Sequence, residues 1–275
     1  MYINIKILSP VWGFEHVDQT VFLDRVRLAG YDGVDTWLPQ EADKKKVLLD
    51  YLQQHQMSIV AHQHEAEGST FSKFKQSFLK NLKTCAESLP LLINSHTGRD
   101  YFSIAQNLEL IDIAQEFSYK SGITVAHETH RGRLGYCPQI MSEIFSLRKD
   151  FYITADFSHW VCVTESMLGN FAATVEEAIK RTRHIHARVG FEQGPQVPDP
   201  RAPEWQYAVE HFLNWWDSIV SAHRNIGRDV LTITTEFGPT PYMPTIPFTG
   251  KPVADQFEVN CYMKNLLRGR YNVNN

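Results

Sequence analysis

The side chains with the most chemistry in this sequence are carboxylates and imidazoles at the ends of short β-branched runs. They fall in Asn94-Ser95-His96, His127-Glu128-Thr129-His130, Asp156-Phe157-Ser158-His159, His184-Ile185-His186-Ala187-Arg188 and Thr235-Glu236-Phe237-Gly238. Alternate residues of a strand share a face. If Glu128, Asp156, His186 and Glu236 all turn inward, three carboxylates and one imidazole meet at one place. Three carboxylates do not remain ionised together in a dry pocket without a compensating charge. A divalent cation is the simplest compensation. The donor set is mostly hard, which suits Mn²⁺, Mg²⁺ or Co²⁺ better than a structural Zn²⁺. One divalent metal ion, drawn from Mn²⁺, Mg²⁺, Co²⁺ and Zn²⁺, is therefore the expected cofactor.

Such a convergence needs a frame of many strands with their ends at one mouth. Candidate strands are 3–8, 33–37, 58–62, 91–95, 123–128, 152–156, 184–189 and 231–236, extending an alternation visible from Met1. Their starts recur roughly every 33 residues, the size of a strand-plus-helix unit. Amphipathic stretches fill the gaps at 17–29, 41–55, 71–88, 103–121, 138–148, 168–180, 204–224 and 253–267. Asp18 and Ser69/Thr70 are placed to cap helix starts, Pro138 suits a first helical turn, and Gly122 suits a helix end. Eight strands alternating with eight helices predict a closed (β/α)₈ TIM barrel spanning residues 1–275 as one domain, with its active site at the carboxyl ends of the strands. No GxGxxG or GxxxxGK[ST] follows any strand, so an open nucleotide-binding sheet loses its best support. Two long loops after strands, 190–203 and the proline-rich 238–252, are expected to form the rim of the site.

Composition narrows the class. With 43% hydrophobic and 21% charged residues over 275 positions, the chain is neither disordered nor disulfide-stapled. No apolar run reaches the roughly 18 to 20 residues of a membrane span. A net charge of −4 provides no global field for nucleic acid. Cys85, Cys137, Cys162 and Cys261 are far apart and are read as reduced thiols of a cytoplasmic protein, and the start of the chain carries no signal-peptide pattern. The expected partner is a small sugar or polyol, with no nucleic acid and no membrane. A homo-oligomer is left open. One of the adjacent pair Trp215–Trp216 is expected to pack on the barrel, the other on a neighbouring helix or a partner subunit.

At these strand ends the sequence resembles the xylose-isomerase-like TIM barrels, a superfamily of sugar epimerases, sugar-phosphate isomerases, inosose dehydratases and the endonuclease IV group. The resemblance spans nearly the whole chain. Its specific part is an ordered series: Glu128 in Val125-Ala126-His127-Glu128, Asp156 and His159 in Asp156-Phe157-Ser158-His159, His186, and Glu236 in Thr235-Glu236-Phe237. It implies that Glu128, Asp156, His186 and Glu236 bind the metal, that Glu128 and Glu236 work as acid/base partners on opposite faces of a sugar, and that His159 contacts a substrate hydroxyl. One feature departs from that pattern. The epimerases place a substrate arginine several residues beyond the strand-seven histidine, whereas here Arg188 is two beyond His186. The expected reaction is proton transfer next to a carbonyl through an enediolate. His62, His96, Trp12 and Arg131 are further candidates for substrate contact. Three other readings compete: a lyase or dehydratase of a polyol or keto acid on the same scaffold, a zinc-dependent phosphodiesterase of the endonuclease IV type, and a non-catalytic sugar-binding barrel. Two glutamates around one metal argue against the last.

Overall fold

The computed structural model describes residues 3–227 and 230–271. Met1 and Tyr2, read as the start of the first strand's alternation, lie outside the described residues. Eight short strands run β1 (Asn4–Pro10), β2 (Gly33–Thr36), β3 (Ser58–Gln63), β4 (Ile93–Ser95), β5 (Val125–Glu128), β6 (Tyr152–Ala155), β7 (Thr182–His186) and β8 (Val230–Thr234). They pair in chain order and entirely in parallel, and β1 pairs with β8 to close the barrel. Parallel neighbours need a crossover, and helices supply it. These are α1 (Gln19–Leu28), α2 (Ala42–Gln54), α3 (Phe71–Ala86), α4 (Ile104–Ser121), α5 (Pro138–Leu147), α6 (Phe157–Thr164), α7 (Ala172–Arg181), α8 (Gln206–Asn225) and α9 (Gln256–Tyr271).

Local sequence explains the helix ends. The Asp18 carboxylate accepts from the Thr20 and Val21 amides at the start of α1, and the Thr70 hydroxyl accepts from Lys73 at the start of α3. Ser103 and Gln106 form a reciprocal capping box on α4, and Gly122 ends that helix at φ 73°, a conformation that favours glycine. Outward strand residues such as Ile5, Ile7, Val34, Ile153 and Ile233 pack with the helices in the main core. Leu8, Val60, Leu92 and Ala126 form a separate small apolar cluster, one strand period below the polar residues of the mouth. No helix among the described residues is long and apolar enough to cross a membrane.

The structure corrects three expected boundaries. Strand β6 stops at Ala155, and Asp156 caps a helix, α6, where a strand end and loop were expected. Its carboxylate accepts from the Ser158 amide, so the local bond competes with the ladder and wins. Strand β7 runs 182–186 rather than 184–189, with a register shift opposite Ile153/Thr154, so Arg188 lies beyond it. Strand β8 ends at Thr234, which leaves Glu236 two residues past the ladder. Trp216 is buried, and Trp215 meets Phe157 of α6 edge-on at 5.7 Å.

Candidate functional site

Strand alternation turns Asp35, Asn94, Glu128, His184, His186 and Thr234 into the barrel at its carboxyl end. Glu128 ends β5. Its Oε2 accepts from Asn94 Nδ2 at 2.7 Å and lies 3.0 Å from His96 Nε2 and 3.8 Å from His62 Nε2. Asp156 is clamped to the end of β5, because its amide and carbonyl both bond the Thr129 hydroxyl at 2.9 Å. Glu236 is held by α9 from behind: the Asn260 side chain bonds both the amide and the carbonyl of Phe237 at 2.9 Å. His186 ends β7 and reaches Glu236 Oε2 with Nδ1 at 2.7 Å and Asp35 Oδ2 with Nε2 at 3.0 Å.

Glu128, Asp156, His186 and Glu236 thus meet as expected, each offering one donor atom within 4.8 Å of the others. Ligands about 2.0–2.4 Å from one ion are spaced on this scale. Glu128 Oε1 is buried with no hydrogen-bond partner, and His186 Nδ1 and Glu236 Oε2, also buried, face each other at 2.7 Å. A bound cation would satisfy the unpaired Glu128 oxygen and give the His186 imidazole and the carboxylates around it a common partner. The residues therefore fit a divalent ion.

Electrostatics describe the same crowding. Burial and the facing carboxylates act in opposite senses on His186; Glu236 and Glu128 win and hold it well above its ordinary value. Burial raises Glu128, but His96 and His186 outweigh it and bring the carboxyl well below the usual range. Burial, with Glu236 and Glu128 nearby, pushes Asp156 up to about 7 against the pull of Arg188. Burial drives His64 and His130 down to about 4, so both are neutral near pH 7.

A cavity of about 320 Å³ opens above the cluster. Trp12, Trp37 and Tyr242 form its aromatic wall, His62, His64, His96 and His130 its imidazole wall, and Arg188 and Glu236 reach it from the cluster, with Glu15 at the rim. Of the residues expected to meet substrate, His62, His96, Trp12 and Arg188 line this cavity. His159 is fully buried behind it, 2.9 Å from Arg188 Nη2. Arg131 stands at the edge, its guanidinium 5.1 Å over the Tyr242 ring. Glu236 lines the cavity, whereas Glu128 lies deeper, behind His96.

The long loops take different parts. Loop 238–252 delivers Tyr242, which meets Trp12 edge-on at 5.0 Å. Loop 190–203 supplies none of the lining residues. It braces the other loop through Gln196, whose amide bonds Gly238 N at 2.7 Å and Gly238 O at 3.2 Å. The sequence reading missed Asp35, Tyr242 and Glu15. An acidic residue in the middle of a barrel strand, Val34-Asp35-Thr36, was the available signal for the first.

No protein-family model matches the sequence, and no curated protein matches it. Solved structures do match in fold. A "probable 3-DHS dehydratase AsbF" of Bacillus anthracis superposes at a TM-score of 0.60 with 15% identity, covering 95% of this chain and 98% of its own. The 3-keto-D-glucoside 4-epimerase YcjR of E. coli matches at 0.60 and 11%, covering 97% and 100%. A xylose isomerase-like TIM barrel protein of Mycobacterium smegmatis, solved with magnesium, matches at 0.62 and 11%, covering 98% and 100%. At such identities the likeness concerns the fold: this chain is similar to xylose isomerase-like TIM barrels over nearly its whole length.

Proposed function

We propose that this chain is a divalent-metal-dependent isomerase or epimerase of a sugar or sugar phosphate. The observation that carries the reading is the convergence of buried donor atoms from Glu128, Asp156, His186 and Glu236, with Glu128 Oε1 unpaired, beneath a cavity walled by aromatic rings. Bound within the Glu128–Asp156–His186–Glu236 cluster, the ion supplies Lewis-acid stabilisation of the oxygen charge that develops on an enediolate. Glu236 reaches the cavity and takes the proton from the carbon beside the carbonyl. A solvent-derived proton is delivered to the opposite face or to the next carbon by Glu128 acting through His96, which lines the cavity with Nε2 3.0 Å from Glu128 Oε2. Trp12 and Tyr242 cover the apolar face of the substrate and exclude water. Arg188 and the imidazoles on the wall hold its oxygens.

The fold neighbours described as an epimerase and a dehydratase are consistent with early proton abstraction. The test is incorporation of solvent deuterium beside the carbonyl of candidate ketoses and keto-glycosides, with Mn²⁺ supplied. Glu236→Gln is expected to lower exchange by about 10²- to 10⁴-fold. No exchange with any tested sugar by the metal-loaded protein counts against the reading.

A dehydratase shares the first step and differs in loss of a hydroxyl, which a new conjugated double bond reports in the ultraviolet. A hydrolytic reading has one observation of its own: His62, His96 and Glu128 form a second group of suitable donors that shares Glu128 with the first. Two or three equivalents of zinc in the purified protein would favour that reading over one equivalent of Mn, Mg or Co.

A further inference from the structure

Arg181, Arg188 and Arg268 are buried, and each meets a carboxylate: Glu177, Asp156 and Asp32 in turn. Two arginines at the barrel mouth are treated differently. Arg131 and Arg133 lie in the loop between β5 and α5, both partly buried, and among the described residues neither is paired with a carboxylate. Arg133 Nε is buried without a hydrogen-bond partner. Arg131 has its guanidinium 5.1 Å over the Tyr242 ring, a contact that leaves its N–H donors unused.

The backbone beneath these two side chains is held. Arg133 N bonds His130 O at 3.2 Å, closing a turn in which Gly132 takes φ 74°, a conformation that favours glycine. Leu134 N bonds Thr97 O at 3.0 Å and ties the turn to the loop after β4. That loop adds a third cation, Arg99, which donates to the carbonyls of Gly98 and Ala66, each at 2.8 Å. Carbonyls fix a guanidinium without cancelling its charge. Burial and the nearby Arg99 bring Arg133 below its ordinary value, and Glu128 and Asp100 only partly offset them. Both free arginines border the cavity. Arg131 covers Tyr242, and Arg133 adds to the burial and the His62 charge that hold His64 down at about 4; Tyr242 and His64 both line the cavity.

Resting on the isomerase reading above, we propose that the substrate carries an anionic group, a phosphate ester or a carboxylate, and that Arg131 and Arg133 receive it at the rim while its carbonyl end lies over the carboxylate and imidazole cluster. A guanidinium is a planar fork of donors that matches the oxygens of either anion in pairs. The bound anion supplies the counter-charge that the protein withholds from these two arginines. A cavity of about 320 Å³ admits a molecule of a few carbons with one such group. The site thereby selects sugar phosphates or sugar acids over neutral sugars.

The experiment titrates fructose 6-phosphate against fructose, and glucuronate against glucose, in EDTA at fixed ionic strength. Binding is read from the fluorescence of Trp12 and Trp37, which wall the cavity. Wild type is expected to bind at least one anion about 10- to 100-fold more tightly than its neutral parent, the worth of a hydrogen bond to a charged group. Preference for the phosphate ester alone marks a phosphate site, and preference for the uronate alone a carboxylate site; either supports the inference. Arg131→Gln/Arg133→Gln is expected to abolish the preference, and Arg131→Lys/Arg133→Lys to keep part of it. Wild type that binds neither anion, or binds each neutral parent as well, overturns the inference, as does a preference that survives the double Gln variant. Should that variant fail to fold, Arg131→Gln alone decides: a loss of about tenfold is expected, and unchanged affinity overturns the inference. An anion preference in EDTA with no deuterium exchange after metal loading overturns the isomerase reading and leaves the anion site. Exchange on neutral ketoses with no anion preference overturns this inference alone.

Discussion

Asp35 sits at the floor of the site, with three interactions resting on a single oxygen. Its Oδ2 accepts from Thr234 Oγ1 at 3.0 Å and faces His186 Nε2 at 3.0 Å and His184 Nε2 at 3.2 Å. Burial pushes this carboxyl up, but the two imidazoles outweigh burial and hold it well below the usual carboxylate range. Asp35→Ala leaves a hydroxyl and two imidazoles without their acceptor. Each bond to a charged group contributes about 1.5–3 kcal/mol, yet the three share one oxygen and do not add, so the loss is set by breaking one buried ion pair, about 3–5 kcal/mol. At about 2.1 cal/mol/K per residue, the unfolding entropy of this 275-residue chain is about 0.6 kcal/mol/K, so Tm falls by about 5–9 °C. Asp35→Asn keeps the shape and one acceptor, and its Tm falls less.

Asp35→Ala also releases His186, whose Nδ1 needs the Nε2 anchor to face the cluster, and Asp35→Asn weakens that anchor by removing its charge, so divalent-metal affinity drops about 10- to 100-fold, less in the second variant. Thermal unfolding in EDTA reads the first effect, and Mn²⁺ titration reads the second. An Asp35→Ala melting point within about 2 °C of wild type refutes the stability argument. Unchanged Mn²⁺ affinity in Asp35→Asn refutes the positioning role.

His127 faces away from the mouth, 2.7 Å from Thr97 Oγ1, and burial pushes it down to about 3. Its folded value lies below its unfolded one, so its contribution is full above pH 6.5 and is lost as pH falls toward 3. Between pH 7.5 and 5 that loss is about 2 kcal/mol, and His127→Gln should show a correspondingly smaller drop in the urea-derived unfolding free energy. A side chain at Gly238 would lie 2.2 Å from the Trp12 ring, so Gly238→Ala displaces Trp12 from the cavity wall. KM for the true substrate should rise with little change in metal affinity; an unaltered KM argues against Trp12 as a substrate wall.

The barrel was legible in the sequence because its two periods are local. Alternation within a strand and the strand-plus-helix repeat require no knowledge of distant residues. The same alternation, joined to the rule that barrel sites lie at carboxyl strand ends, was enough to place Glu128, His186 and Glu236 on one side of the sheet. Closure of the ring settled the rest. Asp35 meets partners 149, 151 and 199 residues away, because closing β1 onto β8 brings β2 within reach of β7 and β8 across the interior. No window along the chain contains that geometry. The pairing of Asp156 with Arg188 likewise waited on where β6 stops and α6 starts, and Tyr242 waited on how Gln196 braces its loop. Residue type and strand period decided which groups face inward. Contacts across the closed barrel decided which of those groups are paired, and so which remain free for a ligand.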